Sequence, residues 1–304
     1  MRILSIDGGG VRGVVPSAVL AYWENELKFE SPDRFDLYAG TSTGAIVAAG
    51  LAMGLPARRI LTLFQERAGT IFSREGLKFL EKALTFKGWA MPAYSSEALR
   101  ETLVEAFGDA TLGDCPKPLS IACLDVVTGG TRIFRSGQHP NSVGDRNVTL
   151  VDAVIASTAA PTFFPSAQVA GSSYVDGALW ANNPAMISLL DARDLTQQSG
   201  FDGFRIVSLG CGRPFWGKPV GFGENRGLVG WGLPLMVLMM AAQSDGVHGY
   251  VRRLLPSDAY LRVDPQLPKE LSALDEPDNI ASLMARAGEA ARDTLGAVQR
   301  FIAD

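Results

Sequence analysis

Short runs of Ile, Leu and Val alternate along the chain with segments in which apolar residues recur every three or four positions. Strands joined by crossover helices leave this pattern, and it predicts an α/β fold with a mainly parallel sheet. Ile3 to Ile6 reads as a buried strand, Ser17 to Leu27 as a helix, Phe35 to Ala39 as a second strand, and Gly44 to Met53 as the helix after it. Strand, tight turn and helix therefore occur twice in succession. Farther on, Leu119 to Val126 and Arg205 to Leu209 are expected strands, and Val151 to Ala156 and Ala185 to Arg193 short helices.

Pro56 to Ala106 is expected to be predominantly helical, and Phe215 to Trp231 is a Gly-rich cap or loop whose aromatics Phe215, Trp216, Phe222 and Trp231 could form a lipid-facing lid. Near the end, Ile280, Leu283, Met284, Ala287, Ala291, Leu295, Val298 and Ile302 form a stripe at helical spacing that should pack onto the rest of the chain. No repeat, low-complexity tract or long linker interrupts residues 1–304, so a single domain is expected.

Composition narrows the function classes. A chain of 304 residues, 47% hydrophobic and 20% charged, can bury a large core, and a formal net charge of −4 lacks the cationic surplus on which DNA and RNA binding depend. Cys115, Cys123 and Cys211 have neither the number nor the spacing of a zinc or redox site and read as reduced core thiols. Met1-Arg2 runs directly into the first strand with no signal-peptide pattern, and the longest apolar run, Leu233 to Ala242, is too short to span a bilayer. A cytoplasmic protein, at most peripheral at the inner membrane, is the expectation.

Gly40-Thr41-Ser42-Thr43-Gly44 follows a strand and precedes a helix, the context of a G-x-S-x-G nucleophile elbow. A sharp turn there strains the central serine and brings backbone close, so Gly40 and Gly44 suit its flanks. The bland alternative is a turn that caps a helix. Asp7-Gly8-Gly9-Gly10-Val11-Arg12-Gly13 also follows a strand, and its glycines leave backbone N–H groups open to an anion. It fits an oxyanion hole, and it also contains the G-x-G-x-x-G spacing of a dinucleotide-binding turn. Against the dinucleotide reading, the second strand ends in Ala39-Gly40 with no acid for a ribose. Arg12 either steadies this loop or meets a substrate phosphate. Asp176-Gly177-Ala178 follows Tyr174-Val175 and alone is a turn signal.

Taken in this order, the three motifs resemble the patatin-like phospholipase family, whose marks are a D-G-G-G-x-R-G loop, a G-T-S-T-G elbow and a D-G-A or D-G-G turn. Asp152 to Pro165, Asn182-Asn183-Pro184 and Val207 to Gly212 resemble further segments of the family. Ala45 departs from the glycine that many relatives carry after the elbow.

The resemblance implies a three-layer fold, no cofactor and no metal, and hydrolysis of lipid acyl esters, with glycerophospholipids the favoured class. It also implies that Asp176 acts directly on Ser42, with Gly8, Gly9, Gly10, Arg12 and Gly13 forming the oxyanion region. Histidine supply agrees with this: His139 precedes the acid in chain order, and His248 lies in a helical pattern without a loop signature. Some bacterial relatives are switched on by cyclic oligonucleotides in antiviral defence, so a cyclic-dinucleotide activator is an expected partner alongside membrane phospholipid. A homodimer is an expectation that no motif carries. A non-catalytic protein that holds an anion or nucleotide on the glycine loop is the alternative.

Overall fold

In a computed structural model, which describes residues 1–72, 92–214, 218, 220, 221, 224 and 227–302, the chain begins with β1 (Arg2–Ile6), α1 (Val14–Leu27) and the single turn α2 (Ser31–Arg34). Next come β2 (Leu37–Thr41), α3 (Thr43–Ala52), α4 (Ala57–Ile71), α5 (Glu97–Phe107), β3 (Leu119–Asp125) and β4 (Gly130–Arg135). The middle of the chain forms α6 (Leu150–Thr158), β5 (Ala167–Val169), β6 (Ser172–Asp176), α7 (Ala178–Ala181) and α8 (Ala185–Thr196). It ends with β7 (Arg205–Leu209), α9 (Leu228–Leu254), β8 (Tyr260–Val263) and α10 (Ile280–Ile302).

The eight strands form one mixed sheet in the order β5-β6-β3-β2-β1-β7-β8, with β4 on β3. The section β3-β2-β1-β7-β8 is parallel, as the buried apolar runs predicted. β4, β5 and β6 add an antiparallel wing that the pattern did not predict. Both faces are covered. Leu4, Ile6, Tyr38, Val207 and Leu209 point into a core shared with α1, α3, α6 and α10, whereas Ile3, Leu37 and Ile206 point to the other side against α8 and the end of α9. That alternation along β1, β2 and β7 makes three layers from helix, sheet and helix.

Register brings two chain ends together. β4 runs along β3 from Ser120 to Asp125, so β2 and β6 must share the other edge. β2 occupies it as far as the pair Thr41–Ala122, and β6 takes over at Asp176–Cys123. β2 is parallel and β6 antiparallel to β3, so their C-terminal ends meet over two consecutive residues of β3.

The helix and strand boundaries differ modestly from expectation. α1 begins at Val14, before Ser17, and β2 extends through Gly40 and Thr41 into the elbow. The C-terminal stripe forms α10, which buries Leu283, Ala287, Ala291, Val298 and Ile302 and takes the Trp23 indole N–H of α1 on Ala291 O at 3.0 Å. Within Pro56 to Ala106, α4 and α5 are helical and residues 73–91 lie outside the described residues. Phe215, Trp216 and Phe222 also lie outside them; Trp231 is half-buried on α9, where a loop was expected. Among the described residues no helix is long and apolar enough to cross a membrane. The three cysteines are free and buried, and burial pushes each thiol well above its ordinary range.

Candidate active site

Ser42 stands between β2 and α3 at φ 54° and ψ −128°, outside every region that a non-glycine residue adopts readily. The turn holds because its neighbours have no side chains. A Cβ on Gly40 would lie 2.4 Å from Gly44 O, and one on Gly44 would lie 2.3 Å from Ile6 O. Such approaches leave no room for alanine. A hydroxyl from α6 ties the elbow down: the Ser42 amide donates to Ser157 Oγ at 2.8 Å, and Ser157 Oγ donates to Ala122 O at 2.6 Å. The Thr41 hydroxyl donates to Ala181 O at 2.6 Å, which fixes the elbow to α7.

Asp176 ends β6. Because β6 meets β2 across β3, its carboxylate comes to the serine without any loop excursion: Ser42 Oγ donates to Asp176 Oδ2 at 2.6 Å. The other oxygen, Oδ1, accepts the Ala178 amide at 2.8 Å, and the Asp176 amide donates to Ala159 O at 3.0 Å. Gly177 permits this turn, since a Cβ there would meet Ala122 O at 2.3 Å. Asp176 is 3% exposed. Burial pushes its carboxyl up to about 7, against the two hydrogen bonds that favour the charged form.

The glycine loop passes directly beside the serine. The Gly8 amide is committed to Asn182 O at 3.0 Å and the Val11 amide to Leu274 O at 2.8 Å. Between them, the Gly9 and Gly10 amides have no hydrogen-bond acceptor among the described residues. Gly10 has φ +59°, and a Cβ there would lie 2.1 Å from Leu274 O. Gly13 follows where the loop passes Phe64 and Thr43. Arg12 is buried and donates from Nε to Gly9 O at 3.3 Å and from Nη1 to Gly212 O at 3.2 Å. Of its two readings, steadying the loop is the one with visible contacts. Burial lowers its pKa from the ordinary range.

From Ser42 and Asp176 a narrow apolar tunnel of about 70 Å³ runs between Ile46, Phe64, Phe72, Phe164 and Met236. Neither histidine reaches the serine. His139 Nδ1 accepts the Asn141 amide at 3.1 Å, and its Nε2 lies 3.4 Å from Asp191 Oδ1, beside the Arg135–Asp191 ion pair. His248 Nδ1 lies 3.1 Å from Tyr260 Oη. The sequence reading missed two groups. Ser157 lies in a segment already notable for small residues, but nothing local marks its hydroxyl. Arg262 of β8 binds Asp7 through both nitrogens at 2.8 and 2.6 Å and also holds Asp264 at 2.9 Å, an anchor for the start of the glycine loop. Burial pushes Asp7 up to about 6, with the charge and hydrogen bonds of Arg262 opposing.

Residues 4–189 match the family described as Patatin-like phospholipase. Among curated proteins, the chain is 30% identical to a "cGAMP-activated phospholipase" of Pseudomonas aeruginosa, over 97% of this chain and 89% of that one. It is 34% identical to a protein of the same description from Escherichia coli, over 92% and 84%. Among solved structures it resembles VipD from Legionella pneumophila, with a TM-score of 0.51 at 14% identity, covering 97% of this chain and 66% of that one. That last likeness concerns the fold alone. With elbow, acid turn and glycine loop assembled inside the matched residues, the chain belongs to the patatin-like phospholipase family and is a hydrolase.

Proposed function

We propose that this hydrolase releases fatty acid from glycerophospholipids with Ser42 as nucleophile and Asp176 as its only side-chain base. The observation that carries the reading is the 2.6 Å hydrogen bond from Ser42 Oγ to Asp176 Oδ2 at the head of an apolar tunnel, with no imidazole in reach. Asp176 takes the hydroxyl proton as Ser42 Oγ attacks the ester carbonyl, and the carbonyl oxygen becomes an oxyanion held by the Gly9 and Gly10 amides. Collapse expels the lysolipid alcohol, which takes the proton back from Asp176, and leaves an acyl-serine. Asp176 then deprotonates a water that attacks the acyl carbon, and the fatty acid departs as Ser42 regains its proton. A carboxyl raised toward 7 by burial is a better-matched base at neutral pH than an ordinary aspartate.

The relatives described as cGAMP-activated, aligned over most of both chains, support a cyclic GMP–AMP dinucleotide as activator here. The substrate then comes from a membrane surface that the protein meets peripherally. Fatty-acid release from phospholipid vesicles, with and without the dinucleotide, tests both parts. Wild-type protein is expected to release fatty acid when the dinucleotide is present, and Ser42→Ala to release none. If vesicles stay intact with both proteins under every condition, the glycine loop is better read as an anion-binding device without turnover.

A further inference from the structure

Beside the apolar tunnel lies a second cavity, about 810 Å³ in volume, that the acyl-transfer steps do not use. Its floor is the back of the glycine loop, with Asp7, Gly8, Arg12 and Asn182; its roof is α9, through Val237, Ala241, Ser244 and His248; and Arg213 stands on its wall. The volume falls within the roughly 300–1,000 Å³ typical of small-molecule sites.

The lining carries three guanidiniums, of Arg12, Arg213 and Arg262, against three carboxylates, of Asp7, Asp245 and Asp264, and these pair unevenly. Arg262 is neutralised by Asp7 and Asp264. Arg12, only 5% exposed, donates to the carbonyls of Gly9 and Gly212 and pairs with no carboxylate among the described residues. Arg213, with 64% of its side chain exposed, stands 4.0 Å from an Asp264 that Arg262 already holds. Arg213 is thus open to one phosphodiester, and Arg12, although it steadies the loop through two carbonyls, has no carboxylate of its own to compete with a second. Asn182 Oδ1, of the same wall, is buried against Gly8 with no hydrogen-bond donor. The carboxylate of Asp245 and the ring of His248 complete a lining that can pair with a purine edge and stack on a base.

The same walls serve the tunnel. Met240 of α9 and Leu274 line both cavities, and Leu274 O holds the Val11 amide of the glycine loop. α9 is also tied to that loop through Asn182, whose Nδ2 donates to Ser244 Oγ at 2.9 Å while its carbonyl holds Gly8. We infer that the polar cavity between α9 and the glycine loop is the effector site, that it binds a cyclic dinucleotide, and that occupancy repositions α9 to open the acyl tunnel. This inference rests on the nucleotide-activated reading above.

The test is titration of a cyclic GMP–AMP dinucleotide into the full chain carrying Ser42→Ala, alone and with Arg213→Glu or Ala241→Trp, alongside vesicle hydrolysis by the same variants with Ser42 intact. Arg213→Glu reverses a charge on the wall, and Ala241→Trp fills the cavity from an exposed position of α9. Arg213→Glu is expected to weaken dinucleotide binding about tenfold or more and to raise the dinucleotide concentration needed for hydrolysis by the same factor. Ala241→Trp is expected to abolish both, with the ligand-free melting temperature of each variant unchanged. If Ala241→Trp fails to fold, Arg213→Glu alone decides. Parental dinucleotide affinity in the variants overturns the assignment, and parental affinity with a raised KM for lipid makes the cavity a head-group site instead. A parent that hydrolyses lipid yet binds no dinucleotide ends the activation reading, and with it this one, before any variant is compared.

Discussion

At the residue scale, two strained or desolvated groups face each other. Ser42 sits at a positive φ that costs about 1–3 kcal/mol, and Asp176 keeps a carboxylate in a buried place that favours the neutral acid. Its pKa is higher in the folded protein than in the unfolded chain, so the native state holds that proton more tightly, and the contribution to stability falls as pH rises from the ordinary 3.8 to about 7. Asp176→Asn removes the titration while keeping both hydrogen bonds, with Oδ1 toward the Ala178 amide and Nδ2 toward Ser42 Oγ. The variant is expected to be inactive, yet more stable than wild type at pH 8 by an amount on the order of a few kcal/mol, with the gain shrinking toward pH 4. Denaturant titrations of both proteins across that range measure it; a gain that is absent or independent of pH would show that Asp176 is not desolvated. In parallel, kcat/KM on a soluble ester should climb with pH through about 7 and level off above it, because only the ionised carboxylate can accept the serine proton.

At the element scale, the site follows from how β3 divides its edge between β2 and β6. The serine and acid turns were legible because each carries its own local chemistry: glycines where an added Cβ would lie within 2.4 Å of backbone, and an Asp-Gly step after an apolar approach. The strand that delivers the acid was not legible as a strand. β6 includes Ser172 and Ser173, and β5 is only three residues long, so neither shows an apolar run. α9 begins at Leu228, inside the stretch whose glycines suggested a loop, and is tied to the chain after α7 farther along, at Gln243 and Ser244. Ser157 was invisible for another reason: its two partners, the Ser42 amide and Ala122 O, are brought to it only by the register of β2 on β3. Ser157→Ala leaves a buried donor and a buried acceptor unpaired, at a cost of about 1–3 kcal/mol. It is expected to lower kcat on a soluble ester about tenfold while leaving KM near its wild-type value, since the elbow loosens but the tunnel does not change. If the protein melts lower with kcat unchanged, the glycine packing alone positions the serine.

At the scale of the whole molecule, two cavities of different character share one wall. The tunnel that reaches Ser42 and Asp176 is apolar, whereas the larger cavity beside it carries charged residues on its walls. On the activation reading α9 is the wall that moves, because Met240 places it on both cavities. Leu235 and Met239 of α9 are 42% and 50% exposed, while Met236 on its inner side lines the tunnel. By contrast, Phe72 and Phe164 across from it meet edge to face and both pack on Tyr94, whose hydroxyl is held by Asp275. Met236→Ala widens the tunnel without touching Ser42, Asp176 or the polar cavity. It is expected to raise nucleotide-independent hydrolysis of long-chain esters several-fold while short-chain esters, which need little of the tunnel, are cleaved as before. The ratio of long-chain to short-chain kcat/KM in the absence of dinucleotide is the measurement. A ratio that stays at the wild-type value would move the constriction to the aromatic wall and leave α9 with no part in closing the tunnel.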